Sequence, residues 1–327
     1  MTARVLVTGG AGYIGSVVAD QLLERGHDVV VLDNLSTGHR QAVPAGATFV
    51  QGDIGDRALL TGLFVQHPVD AIVHMAAFAL VAESVANPEK YRANNVSAAR
   101  VLLDAAVAAG LRRFIFSSSC TVYGHPAAVP IDEATPTAPV SPYGETKLEF
   151  ERVLAEYAAG HGLSSVSLRY FNAAGADERH GEDHDPESHL LPNVLAVALD
   201  QRPAVAVFGT DYPTPDGTAV RDYIHVEDLA DAHVRALDVP PDGAVALNLG
   251  TGQGSSVRQV VAMARRVTGH PIPTTDAPRR PGDPPELVAA AQRAAAVLGW
   301  RPRRSGLEEI VESAWRWHRA HPRGYRS

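Results

Sequence analysis

Tyr143 and Lys147 stand four residues apart in the run Ser141-Pro-Tyr143-Gly-Glu-Thr-Lys147, a spacing that puts both on one face of a helix. A free phenol titrates near ~10 and is a poor base at neutral pH, and a neighbouring ammonium favours the phenolate. Ser119 closes a serine run, Ser117-Ser118-Ser119, whose hydroxyl can share the proton. Tyr, Lys and Ser together suit proton abstraction from an alcohol coupled to hydride transfer. In isolation the Tyr/Lys pair would be an ordinary exposed pair on a helix. Its neighbours change that. Gly10-Ala-Gly12-Tyr-Ile-Gly15 matches G-x-G-x-x-G, and Gly9, Gly12 and Gly15 also fit G-x-x-G-x-x-G. Such glycines allow a tight turn and a close approach to a pyrophosphate at a helix N-terminus. Asp33 follows Gly15 by 33 − 15 = 18 residues. A carboxylate there accepts hydrogen bonds from a ribose 2′-OH and repels a 2′-phosphate, which favours NAD over NADP.

These groups need elements that bring them together. Apolar runs predict strands over 4–8, 29–32, 48–51, 71–74, 114–117 and 165–169. Helical spacing follows Gly12 and recurs over 96–109 and 143–159. Strands alternating with helices imply a doubly wound parallel α/β sheet of the Rossmann kind. The carboxyl ends of its strands border a ligand crevice, where the glycine turn, Asp33 and Ser119 fall. After about Tyr170 the texture changes. The stretch 177–189 is charged, His-rich and without periodicity; 211–217 is dense in turn formers; 271–285 is rich in Pro and Arg. Short strands are expected over 204–208 and 246–249, and helices over 226–237, 257–267 and 307–319. The expected division is a dinucleotide-binding domain, 1–170 plus about 222–250, and a smaller C-terminal α/β substrate domain, 171–221 plus 251–327.

Composition narrows the function classes. With 327 residues, 45% of them hydrophobic, the chain can bury a large core. The net charge is 29 − 37 = −8, with no basic patch to hold nucleic acid. The one cysteine, Cys120, excludes an intramolecular disulfide framework or a multi-Cys metal centre, and fits a reducing cytoplasm. No apolar run reaches the ~18 residues of a membrane span, and no signal-peptide pattern opens the chain. His180, His184 and His189 lie in the acidic 177–189 stretch; the chemistry above needs no metal, and the expectation is a solvated loop. Cys120 has no partner base in the local sequence and reads as a small buried residue. Trp315 and Trp317 read as anchors of the last helix.

The chain resembles the extended short-chain dehydrogenase/reductase family, and within it the UDP-glucose 4-epimerases. The likeness runs from Val5 to Gly324. It rests on the segments 8–16, 117–124, 141–147 and 168–172, and more specifically on 211–218, on Arg221-Asp-Tyr-Ile-His-Val226 and on Arg279-Arg-Pro-Gly-Asp283. The resemblance implies bound NAD and a UDP-hexose, with UDP-glucose and UDP-galactose interconverted through a 4-keto sugar and UDP-GlcNAc and UDP-GalNAc as further candidates. It assigns catalysis to Ser119, Tyr143 and Lys147, with Ser119 and Tyr143 also touching the sugar. NAD contacts would be Gly9, Gly12, Tyr13, Ile14, Gly15, Asp33, Asn34, Asp53, Ile54, Asn94, Lys147 and Tyr170. UDP-sugar contacts would be Asn172, Leu190, Arg221, Arg280 and Asp283, the two arginines being suited to grip a diphosphate. Leu287 falls at the family's gate position, where Tyr restricts the pocket to glucose and galactose and small residues admit N-acetylated sugars. Ala79 stands where some relatives carry a lysine on the cofactor phosphates. The resemblance also implies a homodimer formed by the helices near 96 and after Tyr143. A 4,6-dehydratase would need an Asp-Glu pair where this chain has Cys120 and Thr121. Epimerases of UDP-glucuronate or UDP-pentoses share the chemistry, and a non-catalytic NAD-sensing regulator is the alternative of another class.

Overall fold

The structure is a computed structural model that describes residues 2–240, 243–280 and 282–326. Pro281 of the 279–283 motif lies outside the described residues, as do Met1, Pro241, Asp242 and Ser327 of the expected domain spans. In chain order the strands are β1 (Arg4–Thr8), β2 (Asp28–Asp33), β3 (Thr48–Gln51), β4 (Ala71–His74), β5 (Arg113–Ser119), β6 (Ser164–Tyr170), β7 (Asn172–Ala174), β8 (Val205–Phe208), β9 (Val220–His225), β10 (Ala244–Leu249), β11 (Gly254–Ser256), β12 (Thr274–Ala277) and β13 (Glu286–Leu287).

Seven of these form one parallel sheet in the order β10-β6-β5-β4-β1-β2-β3. The chain steps outward from β1 to β3, returns, and steps outward the other way from β4. The switch between β1 and β4 is where such sheets bind ligands. Side chains alternate between two buried faces, as the strand period requires. Val5, Val7, Val29 and Val31 pack on one side with helices Tyr13–Glu24 and Val226–Ala236. Leu6, Val30, Leu32, Phe114 and Phe116 pack on the other with helices Arg57–Gln66, Ala99–Ala108 and Pro142–His161. This is the doubly wound α/β sheet expected, and each fully buried Val, Leu or Phe contributes about 1.5–3 kcal/mol.

The smaller part of the chain pairs β11-β9-β13 with β7 against β9, and β12 with β8. The expected cut at 222 falls inside β9, which belongs to the small sheet, while the helix directly after it packs into the large core. The helix expected over 96–109 starts earlier and differently. A π turn, Ala93–Ala98, precedes Ala99–Ala108. It turns Asn95 inward, where its side-chain amide bonds both backbone groups of Phe78 and donates to Thr146 Oγ1 at 3.2 Å. Such turns are common at functional sites.

Candidate active site

The glycine turn sits at the β1/β4 switch and is packed tightly on its protein side. Gly9 has φ +71°, and a Cβ there would lie 2.6 Å from the Ala76 backbone nitrogen. At Gly15 it would lie 2.1 Å from the Gly9 carbonyl oxygen. Gly12 is different: a Cβ would meet only Gly9 O, at 3.3 Å, so its outer side is open. Gly12 also starts the helix Tyr13–Glu24 with no side-chain cap, leaving first-turn N–H groups, including those of Tyr13 and Ile14, for an anion. Asp33 ends β2 and is buried; its Oδ2 accepts from Ala11 N at 3.0 Å and its Oδ1 from Leu35 N at 2.8 Å. Each oxygen keeps a lone pair for ribose hydroxyls. Asn34 Nδ2 donates to Asp53 Oδ2 at 2.9 Å, and Asp53 Oδ1 accepts from Gly55 N at 2.8 Å. Ile54 beside them is buried, and Asn94 donates to Asn95. An uncapped helix start, an open glycine and an oriented carboxylate fit a dinucleotide. The Tyr13 hydroxyl is otherwise engaged, donating to Gly175 O at 2.6 Å and tying the first helix to the segment after β7.

The acid–base groups meet at the ends of β5 and β6. Ser119 pairs in register with Tyr170, and its Oγ accepts from Thr121 N and Oγ1. The helix Pro142–His161 starts where the sequence dictates. Ser141 caps it by accepting from Gly144 N, Pro142 opens it, and left-handed Gly162 ends it. Tyr143 therefore lies in the first turn and Lys147 one turn on. Lys147 is buried, donates to Ser117 O at 2.7 Å, and stands 4.9 Å from the Phe116 ring centre and 5.7 Å from that of Tyr143.

Burial, not the ammonium, dominates here. It pushes the Lys147 amine down to about 7 and drives the Tyr143 phenol well up, with Tyr170 adding to the rise and the Ser119 hydroxyl opposing it. The sequence predicts a lowering of the phenol by Lys147 together with the cationic nicotinamide; without that cation, burial sets the direction.

Two histidines in this site carry no local sequence signal. His74 ends β4, is buried, bonds Thr8 Oγ1 at 2.7 Å and stacks on Phe116. Burial lowers it to about 3, so it stays neutral and props the ring beneath Lys147. His233 bonds Leu229 O through Nδ1 and Ser117 Oγ through Nε2. Since a carbonyl accepts, Nδ1 carries the proton and Nε2 accepts from Ser117. Ser117 thus gives its proton to His233. Only the packing of the helix Val226–Ala236 on the sheet reveals this chain.

On the substrate side, β9 and β13 set Arg221 opposite Leu287. Arg221 is nearly buried and bonds Asp283 at 2.5 Å and Pro284 O at 2.8 Å. Leu287 is buried in the apolar cluster that also holds Cys120, Val122, Leu148 and Phe171. Asn172 opens β7 and Leu190 opens the helix Leu190–Ala198. Arg280 is exposed and lies 4.2 Å over the Phe208 ring, and its carbonyl accepts from the backbone N–H of Asp283, the partner of Arg221. Ala79 is exposed. Cys120 is a buried free thiol raised by burial to about 12, which removes it as a nucleophile. Trp317 is buried and Trp315 half-buried in the last helix. Asp222, missed in the sequence, is fully buried and accepts from Thr251 N, Gly252 N and Ala289 N, which pins the strand carrying Arg221 to two loops.

The 177–189 stretch is a loop, as expected, with Glu178, Arg179, Asp185 and His189 exposed, but part of it is folded inward. His180 and Glu182 are buried, at 4% and 5% exposure. His184 lies edge-on to Tyr13, with ring centres 6.4 Å apart. The inward part stays dry because its charges face one another, His180 with Asp177 and His184 and His189 with Glu182.

Among the described residues, no helix is long and apolar enough to cross a membrane. Residues 5–250 match the family described as the NAD dependent epimerase/dehydratase family. A UDP-glucose 4-epimerase of Streptomyces lividans is 54% identical over 99% of both chains. A crystal structure of UDP-glucose 4-epimerase from Brucella ovis in complex with NAD is 47% identical, covers 96% of this chain and 97% of that one, and superposes with a TM-score of 0.92. One from Bifidobacterium longum in complex with NAD+ and UDP is 39% identical over 98% and 100%, with a TM-score of 0.94. With the glycine turn at the sheet's switch point and Ser119, Tyr143 and Lys147 gathered beside it, the chain belongs to the NAD dependent epimerase/dehydratase family.

Proposed function

We propose that this protein is an NAD-dependent 4-epimerase that interconverts UDP-glucose and UDP-galactose through a 4-keto sugar. The observation that carries it is the convergence of Tyr143, Lys147 and Ser119 at the strand ends next to the glycine turn. The relatives named UDP-glucose 4-epimerase support the substrate. Bound NAD supplies a hydride acceptor that can return the hydride to either face of C4. Asp33, Asn34 and Asp53 hold and orient the cofactor's ribose end, and the first-turn N–H groups after Gly12 face its pyrophosphate. Tyr143 takes the proton of the 4-OH and gives it back. Ser119 hydrogen-bonds the same oxygen, and Lys147 fixes the cofactor ribose and supplies positive charge as the phenolate forms. Burial of both groups excludes competing water. Arg221 binds the UDP diphosphate, with Arg280 reaching it from the exposed 279–283 segment and Asn172, Leu190 and Asp283 completing the pocket.

In this reading residues 1–170 and about 222–250 hold NAD, and 171–221 with 251–327 hold the nucleotide sugar. The working unit is a homodimer in the cytoplasm. Purified protein given UDP-galactose without added NAD is expected to yield UDP-glucose, read by sugar composition. No conversion even with NAD supplied would move the substrate to UDP-glucuronate or a UDP-pentose. NAD binding with no turnover of any nucleotide sugar would favour a regulator.

Two further outcomes follow. Arg221→Gln keeps length and polarity but loses the charge, so KM for UDP-galactose should rise about 10–100-fold, as loss of a charge-assisted pair of about 1.5–3 kcal/mol requires, with kcat changing far less. An equal fall in kcat with KM unchanged would remove Arg221 from ground-state binding. Leu287→Tyr fills the apolar cluster that also holds Cys120. Turnover of UDP-GlcNAc should fall at least about tenfold relative to UDP-galactose, the scale of a pocket steric change. An unchanged ratio would end the gate assignment.

A further inference from the structure

Glu182, His184, Glu187 and His189 come from one eight-residue stretch, and one donor atom from each lies within 4.8 Å of all the others. We propose that these four side chains form a divalent-metal site of tetrahedral type, suited to zinc, that locks the segment between the first helix and the helix Leu190–Ala198. This does not rest on the epimerase reading.

The donor set is two imidazoles and two carboxylates, which suits zinc. Four ligands about 2.0–2.1 Å from a shared ion are about 3.4 Å from one another. His184 Nδ1 is 3.5 Å from Glu182 Oε1 and 3.6 Å from Glu187 Oε2, and His189 Nδ1 is 3.5 Å from Glu187 Oε1. A fourth edge, His189 to Glu182, is shorter at 2.6 Å and would open by under an ångström, and the two remaining edges, His184 to His189 and Glu182 to Glu187, lie within 4.8 Å. His184 Nδ1 is buried and makes no hydrogen bond, with the two carboxylates 3.5 and 3.6 Å away. Glu182 is 95% buried, and such a carboxylate needs a counter-charge. Among the described residues no Lys or Arg pairs with Glu182 or Glu187; their ion-pair partners are the two histidines, and the Ser188 and His189 backbone N–H groups donate to Glu187 Oε1 at 2.7 Å, which leaves Oε2 for an ion. His189, with its side chain 46% exposed, leaves an entry path.

The neighbouring group Asp20, Asp177 and His180 has similar donors but is already satisfied. Arg179 pairs with Asp20 and His180 bonds Asp177 at 2.9 Å, so a cation and a full hydrogen bond already serve its carboxylates. Position gives the first cluster its consequence. His184 packs against Tyr13, whose hydroxyl holds Gly175, and His189 directly precedes Leu190. An ion there would brace the start of a substrate-side helix against the cofactor turn.

The test uses the full, tag-free chain, freed of metal with a chelator and dialysed. Titrated with Co²⁺, it should show the intense visible band of a tetrahedral site, displaced by about one equivalent of Zn²⁺ and unaffected by Mg²⁺. Zn²⁺ should raise the melting temperature by several degrees. His189→Gln, at the half-exposed position where folding is safest, should weaken Zn²⁺ binding about 100-fold or more, as should His184→Gln, while His180→Gln leaves it intact. Near-ultraviolet circular dichroism checks that each variant is folded. Absence of the band in the wild type means a cluster of protonated histidines and glutamates only, and overturns the site. A band that survives His189→Gln, or one lost in His180→Gln, overturns it as well.

Discussion

Tyr143→Phe is expected to lower conversion of UDP-galactose by about 10³–10⁴-fold, or about 4–5.5 kcal/mol of transition-state stabilisation, the upper part of the range for a positioned acid–base group. The ring stays, so its edge-on contact with Tyr91 and its burial are kept, and the melting temperature should move by only a degree or two. NAD content should be unchanged, because the residues expected to hold the cofactor are elsewhere in the turn and at Lys147. A rate within tenfold of wild type would show that another group takes the proton. The Ser119 hydroxyl, which opposes the upward drive on the phenol, would then be the first to test.

Gly15→Ala should have the second largest effect, on folding and cofactor together. The new methyl would lie 2.1 Å from the Gly9 carbonyl oxygen and 2.9 Å from Gly10 Cα. Those are backbone atoms of the turn itself and have no rotamer to relax into. Separating them moves the helix Tyr13–Glu24 off β1, which costs about 2–4 kcal/mol by analogy with overpacked cores, and retained NAD should fall at least about tenfold. Gly12→Ala separates the two effects. Its methyl meets only one atom at 3.3 Å, so stability should hold while NAD retention drops, since the methyl stands where the pyrophosphate must approach. Release of the protein with full NAD from both variants would remove the turn from cofactor binding.

The parallel sheet was legible because its strands are nearly continuous apolar runs closed by Gly, Asp or Ser, and because both of its faces are buried. The helix carrying Tyr143 and Lys147 was legible for a local reason: Ser141, Pro142 and Gly162 mark its ends. Short strands such as Asn172–Ala174, Gly254–Ser256 and Glu286–Leu287 were not, because two or three residues carry no period. Their existence depends on β9 as a partner. The π turn at 93–98 was also hidden, since Asn95 turns inward for contacts with Phe78 and Thr146, both distant in the chain.

By itself the sequence determined the seven strands of the large sheet, the glycine turn with Asp33 after it, and the Tyr/Lys spacing. All of these depend on residues within a few turns of one another. Only the tertiary structure decided which charges are solvated and which face each other. It alone set His74 under Phe116, His233 behind Ser117, Asp222 among three backbone N–H groups, Arg221 against Asp283, and the four donors of 182–189 together. Burial and electrostatic pairing are properties of the space between segments, and residues as far as 116 apart along the chain meet there.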